Sequence, residues 1–495
     1  MKRHVLAIAI AALLTTLFAI SEAEAIGYGS LPEIRGDATD GIVADVPYVW
    51  QEIDGLCAWA ATSMAVQAAG VDLDLYEILA SSVVGFSFSY LHYNSSILIF
   101  PGPMDLQAEA TDFLCDLNGL NMTAFFDVGL DVADELYDLW TSHGINTQLL
   151  NGEQGAFALM RHAIDSGYPL LISVDPSWLP AEDYNPLRAL GIESAGHGIL
   201  IVGYNDTGGY ATIMDPGVGV FGDYYGYPAD GRGEYAEISY TALNIAWFKR
   251  SYVSILITPG DSALVERSAN LGKLIRDKLL GDSDAYYADV NMAILMDFGE
   301  GAFRQISEDF SPEGIEDYFD IFTGMAGERE FKTHVLEIFG IGLQKQTTLQ
   351  YLSYRKALES LPSLMSDVNL AQFIGNATLA LPHFESLANN STSIYLVNTT
   401  KYEGFVYETF HNISILYNST GDLAAALELM QTNLNEITDH FEAIADSWLR
   451  AGEALAIIWP RGGMTDYMPL VVAGALGVGV LFVLVILYIR RLPSQ

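Results

Sequence analysis

A thiol, an imidazole and the side chains able to orient them are the groups of this chain best placed for chemistry. Cys57 stands in Gln51-Glu52-Ile53-Asp54-Gly55-Leu56-Cys57-Ala58-Trp59-Ala60-Ala61-Thr62-Ser63-Met64, with a glutamine six residues before it. Ala60, Met64, Ala65 and Ala68 predict a helix that starts at the cysteine and ends at Gly70. A thiol is a poor nucleophile until it ionises, and a helix N-terminus with a neighbouring imidazolium favours the thiolate. In that setting the Gln51 amide and the Cys57 backbone N–H can point at the oxygen of a tetrahedral intermediate.

The imidazole lies far along the chain. Gly196-His197-Gly198 heads an apolar strand that runs to Tyr204, and the next strand, Tyr210 to Met214, closes on Asp215-Pro216-Gly217. On adjacent antiparallel strands the start of one meets the end of the next. His197 and Asp215 are therefore expected side by side, the carboxylate fixing the imidazole tautomer. Asp before Pro-Gly is also a common turn former, and Asn205 is the alternative third member.

Cys115, the only other cysteine, sits in the amphipathic stretch Thr111-Asp112-Phe113-Leu114-Cys115-Asp116-Leu117 with no such partners. Two cysteines exclude a disulfide-dense scaffold and leave either one working and one buried thiol, or a single Cys57–Cys115 bridge. His92, His143, His162, His334, His383, His411 and His440 lack metal-ligand spacing with each other. No glycine-rich phosphate or dinucleotide motif lies between a strand and a helix. The expectation is a site without metal or cofactor.

The elements that must position these residues read as one mixed α and β domain from residue 26 to about residue 258. Gly167-Tyr168-Pro169 precedes a strand over Leu170–Val174, and a last strand runs from Tyr252 to Thr258. Strands bounded by Gly, Pro and Asp after a helical first half indicate an α+β domain with an antiparallel sheet.

From about residue 46 to 258 the chain resembles the C39-like branch of the papain-type cysteine peptidases. The resemblance rests on Val46-Pro47-Tyr48 leading to Gln51, the Cys57 helix and the passage Ile164-Asp165-Ser166-Gly167-Tyr168-Pro169-Leu170-Leu171. Gly196-His197-Gly198 with Gly203-Tyr204, Met214-Asp215-Pro216-Gly217, and Ile238-Ser239 with Trp247 complete it. It implies a papain-like fold, with Cys57 as nucleophile, His197 as base, Asp215 as orienter and Gln51 as oxyanion donor. Peptide or amide hydrolysis through a thioester acyl-enzyme, without a metal, is the activity it implies. The same thioester serves an amidase or an acyl transferase, and a non-catalytic relative used in surface adhesion or assembly is the further alternative. Two departures stand out: Ala58-Trp59 follows the cysteine where family members often have Gly-Pro, and residues 84–103 and 177–195 have no clear counterpart.

Beyond residue 258 strand patterns vanish and helical spacing takes over, so 259–460 is expected to be an all-α stalk. Leu423, Leu427, Met430, Leu434, Ile437, Phe441, Ile444, Trp448, Ala451, Leu455 and Ile458 alternate steps of four and three. That repeat predicts a coiled-coil-like helix over 422–459, capped by Asp422 and stopped by Pro460. Such a seam serves either a homo-oligomer or a bundle within one chain.

The ends carry targeting patterns. Lys2 and Arg3, the apolar run Val5–Ile20 and Ala23-Glu24-Ala25 read as a signal peptide over residues 1–25. Pro469 to Ile489 is apolar throughout and, at 1.5 Å per residue, about 31 Å long, enough for a transmembrane helix. Arg490 and Arg491 then open a cytoplasmic tail, 490–495. The expectation is a single-pass protein of the cell membrane with its bulk outside. Asp and Glu outnumber Lys and Arg 62 to 23, a net charge of −39 that repels nucleic acid and leaves peptide or protein as the expected partner. Of nine Asn-x-Ser/Thr sequons (Asn94, Asn121, Asn205, Asn376, Asn389, Asn390, Asn398, Asn412 and Asn418), six fall between 376 and 418, where a glycosylated surface is expected.

Overall fold

The computed structural model describes residues 38–460 except 53–54, 94–95, 98–106, 131–132, 191–195, 219–232, 261–262, 287–295, 318–328 and 389–403. The expected signal peptide, membrane span and tail lie outside the described residues. Among those described, no helix is long and apolar enough to cross a membrane.

The strands are β1 Asp40–Ile42, β2 Ser89–Tyr93, β3 Ser96–Ile97, β4 Leu120–Asp127, β5 Thr147–Leu150, β6 Leu170–Val174, β7 His197–Asn205, β8 Tyr210–Met214, β9 Ala236–Ser239, β10 Ser254–Pro259 and β11 Met296–Phe298. The main sheet runs β5-β4-β10-β6-β7-β8-β9, with β1 on β7. It is antiparallel as expected except at β4–β5, which pair in parallel.

The helices of the first half are α1 Cys57–Ala68, α2 Leu75–Ser81, α3 Gln107–Asn118, α4 Ala133–Ser142, α5 Gly152–Asp165, α6 Asn185–Leu190 and α7 Tyr240–Phe248. The central strand β7 reads as an unbroken apolar run because both of its faces are covered. Successive side chains go to opposite faces. Ile199 and Ile201 enter a core with Phe157, Ile172 and Trp247. Leu200 and Val202 enter another, with Trp59, Ala60 and Met64 of α1.

The second core does not stop at the sheet. It continues into helices α8 Arg267–Leu279, α9 Gly299–Asp309, α10 Arg329–Leu364, α11 Ala371–Ala377, α12 Leu381–Leu387, α13 Phe405–Thr420 and α14 Leu423–Ile458. The expectation of an all-α stalk is corrected here in two ways. The region contains β11, which pairs with β2 of the first half. It is also packed on the first half: Phe86 meets Tyr354 edge-on at 5.7 Å between ring centroids, and Phe88 stacks on Phe303 at 4.1 Å. Residues 84–93, part of the segment without a counterpart in the resemblance, supply the strand and the rings that make this joint.

The long terminal helix has the expected bounds, and the Asp422 side chain accepts from the Ala425 N–H as its N-cap. Its stripe is used inside the chain. Leu434, Ile437, Phe441, Ile444 and Trp448 are fully buried. Trp448 lies 4.9 Å from Phe303 and 5.3 Å from Tyr354, centroid to centroid. At these five positions the seam therefore closes an intrachain bundle. Of the described sequons, Asn121 on β4 and Asn412 and Asn418 on α13 are exposed. Asn376 instead donates to the Arg450 carbonyl, and Asn205 donates to the Tyr210 hydroxyl.

Candidate active site

Cys57 is the first residue of α1, and Leu56 at the N-cap provides no side-chain hydrogen bond. The sulfur therefore sits at the positive end of an uncapped helix, as the sequence predicts. The chain reaches that point through Gly55, whose φ of +105° lies in the region that favours glycine. Leu349 of α10 packs against Gly55: a Cβ there would come within 3.0 Å of its Cδ2. The helical region thus touches the turn that delivers the thiol.

Gly198 explains how α1 approaches β7 so closely. A Cβ on it would stand 2.7 Å from the Ala58 Cα, and its own N–H donates to the Cys57 Sγ at 3.4 Å. A negatively charged sulfur gains from a backbone donor at that position.

His197 opens β7 and Asp215 follows β8. Because Leu200 pairs with Met214 across the two strands, the side chains meet at the same end of the sheet. His197 Nε2 lies 2.8 Å from Asp215 Oδ1, with 7% of the histidine side chain and none of the aspartate exposed. Burial alone pulls the His197 pKa down. The Asp215 carboxylate and the Cys57 sulfur outweigh it by charge and hydrogen bonding and push the value from 6.5 up to about 10. With Nε2 engaged by Asp215, Nδ1 is the nitrogen left to face the sulfur.

Asp215 is held by its backbone as well. The Gly217 N–H donates to Oδ1 at 2.9 Å, the Tyr48 hydroxyl donates to the Asp215 carbonyl at 2.8 Å, and the Asp215 N–H donates to the Gly233 carbonyl at 2.9 Å. The alternative partner, Asn205, is at the opposite end of β7. Its amide oxygen accepts from the Gly208 N–H at 2.6 Å within the β7–β8 turn, so the strand itself separates it from His197.

Gln51 is 2% exposed, and its N–H donates to the Pro216 carbonyl at 3.1 Å. This ties the segment before the cysteine to the segment after Asp215. Its side-chain Oε1 is buried without a hydrogen-bond partner among the described residues. Cys57 and Cys115 are both free thiols. Cys115 is fully buried in α3, and burial, with Asp112 and Asp116 adding to it, pushes its pKa well up.

One residue of the site was not legible in the sequence. Tyr184, in the segment 177–195, is 1% exposed. Its hydroxyl lies 3.1 Å from His197 Nε2 and 3.1 and 3.0 Å from the two Asp215 oxygens. A tyrosine in an irregular segment has no periodicity or motif to mark it.

Among the described residues no group of three or more His, Cys, Asp or Glu side chains is arranged to hold a metal ion. The chemistry available to the cluster is that of a thiol beside a carboxylate-supported imidazole. No curated protein matches the chain. Residues 43–244, which hold Gln51, Cys57, His197 and Asp215, match the model of the Peptidase_C39 like family, and this part of the chain, under half of its length, is a C39-like papain-type domain.

Proposed function

We propose that the domain is a cysteine peptidase that cleaves peptide or amide bonds through a Cys57 thioester. The observation that carries the reading is the order of contacts, sulfur to imidazole to carboxylate, at one end of the sheet. Transfer of the Cys57 proton to His197 Nδ1 gives a thiolate–imidazolium pair. The helix N-terminus and the Gly198 N–H favour the first partner, and Asp215 favours the second.

The thiolate attacks the scissile carbonyl carbon, a C–S bond forms, and the carbonyl π electrons move onto oxygen. The Gln51 side-chain amide and the Cys57 N–H are the donors for that oxyanion. The atom of Gln51 that is buried without a partner among the described residues is the acceptor Oε1, so donation to the oxyanion falls to the Nε2 of the same amide. His197 then protonates the leaving nitrogen as the C–N bond breaks. In the second half it takes a proton from water, whose oxygen attacks the thioester, and the thiol is restored.

The signal-like start and the apolar stretch 469–489 support a place for this activity on the outer face of a membrane. External protease applied to intact cells would release a large soluble fragment. Protection of the whole chain would contradict that placement.

The test of the activity is a peptide library incubated with the full chain and with Cys57→Ala. Cleavage by the former and none by the latter supports the proposal. Acyl-probe labelling of Cys57 without peptide cleavage would redirect it to an amidase or acyl transferase, and no labelling at all would reject it.

A further inference from the structure

Tyr184 reaches the His197–Asp215 pair from a segment with a structure of its own. A turn over Pro176–Trp178 starts at Asp175, whose buried carboxylate accepts from the Ser177 N–H and hydroxyl. A second turn, Glu182–Tyr184, leads into α6. The Arg188 guanidinium of that helix folds back over the segment and donates to the carbonyls of Ser177, Leu179 and Ala181 and to the Asn185 side chain. Leu179, Ala181 and Tyr184 are all buried. The segment is a cap tied by one arginine, and its innermost side chain is the tyrosine.

The hydroxyl has one proton and two lone pairs. Asp215 is its acceptor: both carboxylate oxygens are within 3.1 Å. The oxygen of the same hydroxyl then faces His197 Nε2 at 3.1 Å, where it takes a share of the Nε2–H directed at Asp215. Asp215, with no exposed surface, thus receives donors from His197, Gly217 and Tyr184. The room for this arrangement is made by Gly217, where a Cβ would come within 2.8 Å of the Tyr184 hydroxyl and 2.7 Å of His197 Cε1.

We infer that Tyr184 is a positioning residue of the site. It acts through His197 and Asp215, orienting the imidazolium and shielding the His–Asp hydrogen bond from water, and does not touch the bond being cleaved. The inference rests on the thiolate–imidazolium reading of Cys57 and His197. It adds that this pair is sustained in part by a hydroxyl delivered from the 176–190 cap.

Iodoacetamide provides a test that needs no substrate. The thiolate displaces iodide, so the pH dependence of Cys57 alkylation reports how well its partner holds the thiolate. Asp215 remains the acceptor at Nε2 when the tyrosine's share is lost, but the imidazolium is held less firmly against the sulfur, and the acid limb of alkylation then moves up in pH. Tyr184→Phe, which keeps the ring and removes the hydroxyl, is expected to raise that limb in the full chain by about one pH unit, given what a hydrogen bond to a charged group contributes. His197→Ala is expected to carry it much further, though short of an ordinary cysteine, because the helix N-terminus and the Gly198 N–H remain.

A Tyr184→Phe profile lying on that of the wild type, while His197→Ala is shifted, overturns the role of Tyr184 and leaves the pair intact. Coincidence of all three profiles instead overturns the thiolate–imidazolium reading itself. Should Tyr184→Phe fold poorly, the wild type answers the same question by NMR. A His197 Nε2–H beneath the tyrosine exchanges slowly with solvent, and fast exchange at neutral pH is incompatible with the shielding.

Discussion

Nε2 of His197 and Oδ1 of Asp215 stand 2.8 Å apart where almost no solvent reaches either side chain. A charged hydrogen bond in that position is far stronger than one at the surface, and the loss of either partner leaves the other stranded. Under the proposed mechanism the pair serves both chemistry and stability, and each consequence has its own measurement.

The first consequence is a pH dependence of folding. In the folded protein the His197 pKa is raised from 6.5 to about 10. A raised pKa means that the folded state holds the proton more tightly than the unfolded state. The stabilisation is complete below pH 6.5 and disappears as pH rises through about 10. Asp215→Asn removes the main cause of the shift. Thermal melts between pH 6 and pH 10 should show a fall in the wild type that is shallower in the variant. Parallel curves for the two proteins would mean that the pair is not charged.

The same substitution bears on catalysis. With an amide in place of the carboxylate the imidazole is free to adopt the wrong tautomer, which in a related triad lowers kcat about 10⁴-fold. Here Gly217 and Tyr184 continue to hold position 215, so the fold should persist while turnover falls by about two to four orders of magnitude. Retention of most of the activity would show that His197 is oriented by other groups.

How much of this was legible without coordinates depends on the kind of signal. Cys57, His197 and Asp215 were found because a helix start, a strand start and a strand end each leave a pattern, and antiparallel pairing turns two of those patterns into a contact. Tyr184 left none, since it reaches the pair through an irregular cap whose shape is set by Arg188. The seam of α14 was read correctly as a buried stripe. A stripe does not reveal what buries it, and in this chain Phe303 and Tyr354 do so. The joint between the halves, β2 on β11, pairs residues roughly two hundred positions apart, and nothing local in a three-residue strand announces it.

The two thiols should differ sharply in reactivity. Cys57 is partly exposed at a helix N-terminus, whereas Cys115 is fully buried with its pKa pushed up by burial and two nearby carboxylates. Mass spectrometry after iodoacetamide treatment below pH 7 should find the label on Cys57 alone. Cys115 should react only after denaturation. A Cys57–Cys115 disulfide in the native, active protein would leave no nucleophile.

The seam of α14 makes a prediction about mass. Leu434 and Ile437 are completely buried within the chain. Leu434→Ala should therefore lower stability by about 2–5 kcal/mol, the range for emptying a buried leucine site. The molecular mass in solution should stay the same. Dissociation of an oligomer, with the melting point of the remaining monomer unchanged, would assign the stripe to a contact between copies instead.

Gly198 joins packing to chemistry at a single atom. A methyl group there would lie 2.7 Å from the Ala58 Cα and 3.0 Å from its Cβ, against helix backbone that has no flexible end to move aside. Gly198→Ala must push the first turn of α1 away from β7, and Cys57 moves with it. Overpacking of this kind costs about 1–3 kcal/mol, which most folds survive. The sulfur, however, retreats from both the Gly198 N–H and His197, the two groups that favour its thiolate. The variant should melt as a cooperative unit with its far-ultraviolet spectrum intact, yet lose alkylation of Cys57 below pH 7 together with peptide cleavage. An alkylation profile identical to that of the wild type in a folded Gly198→Ala protein would show that the closeness of helix and strand has no part in activating the thiol.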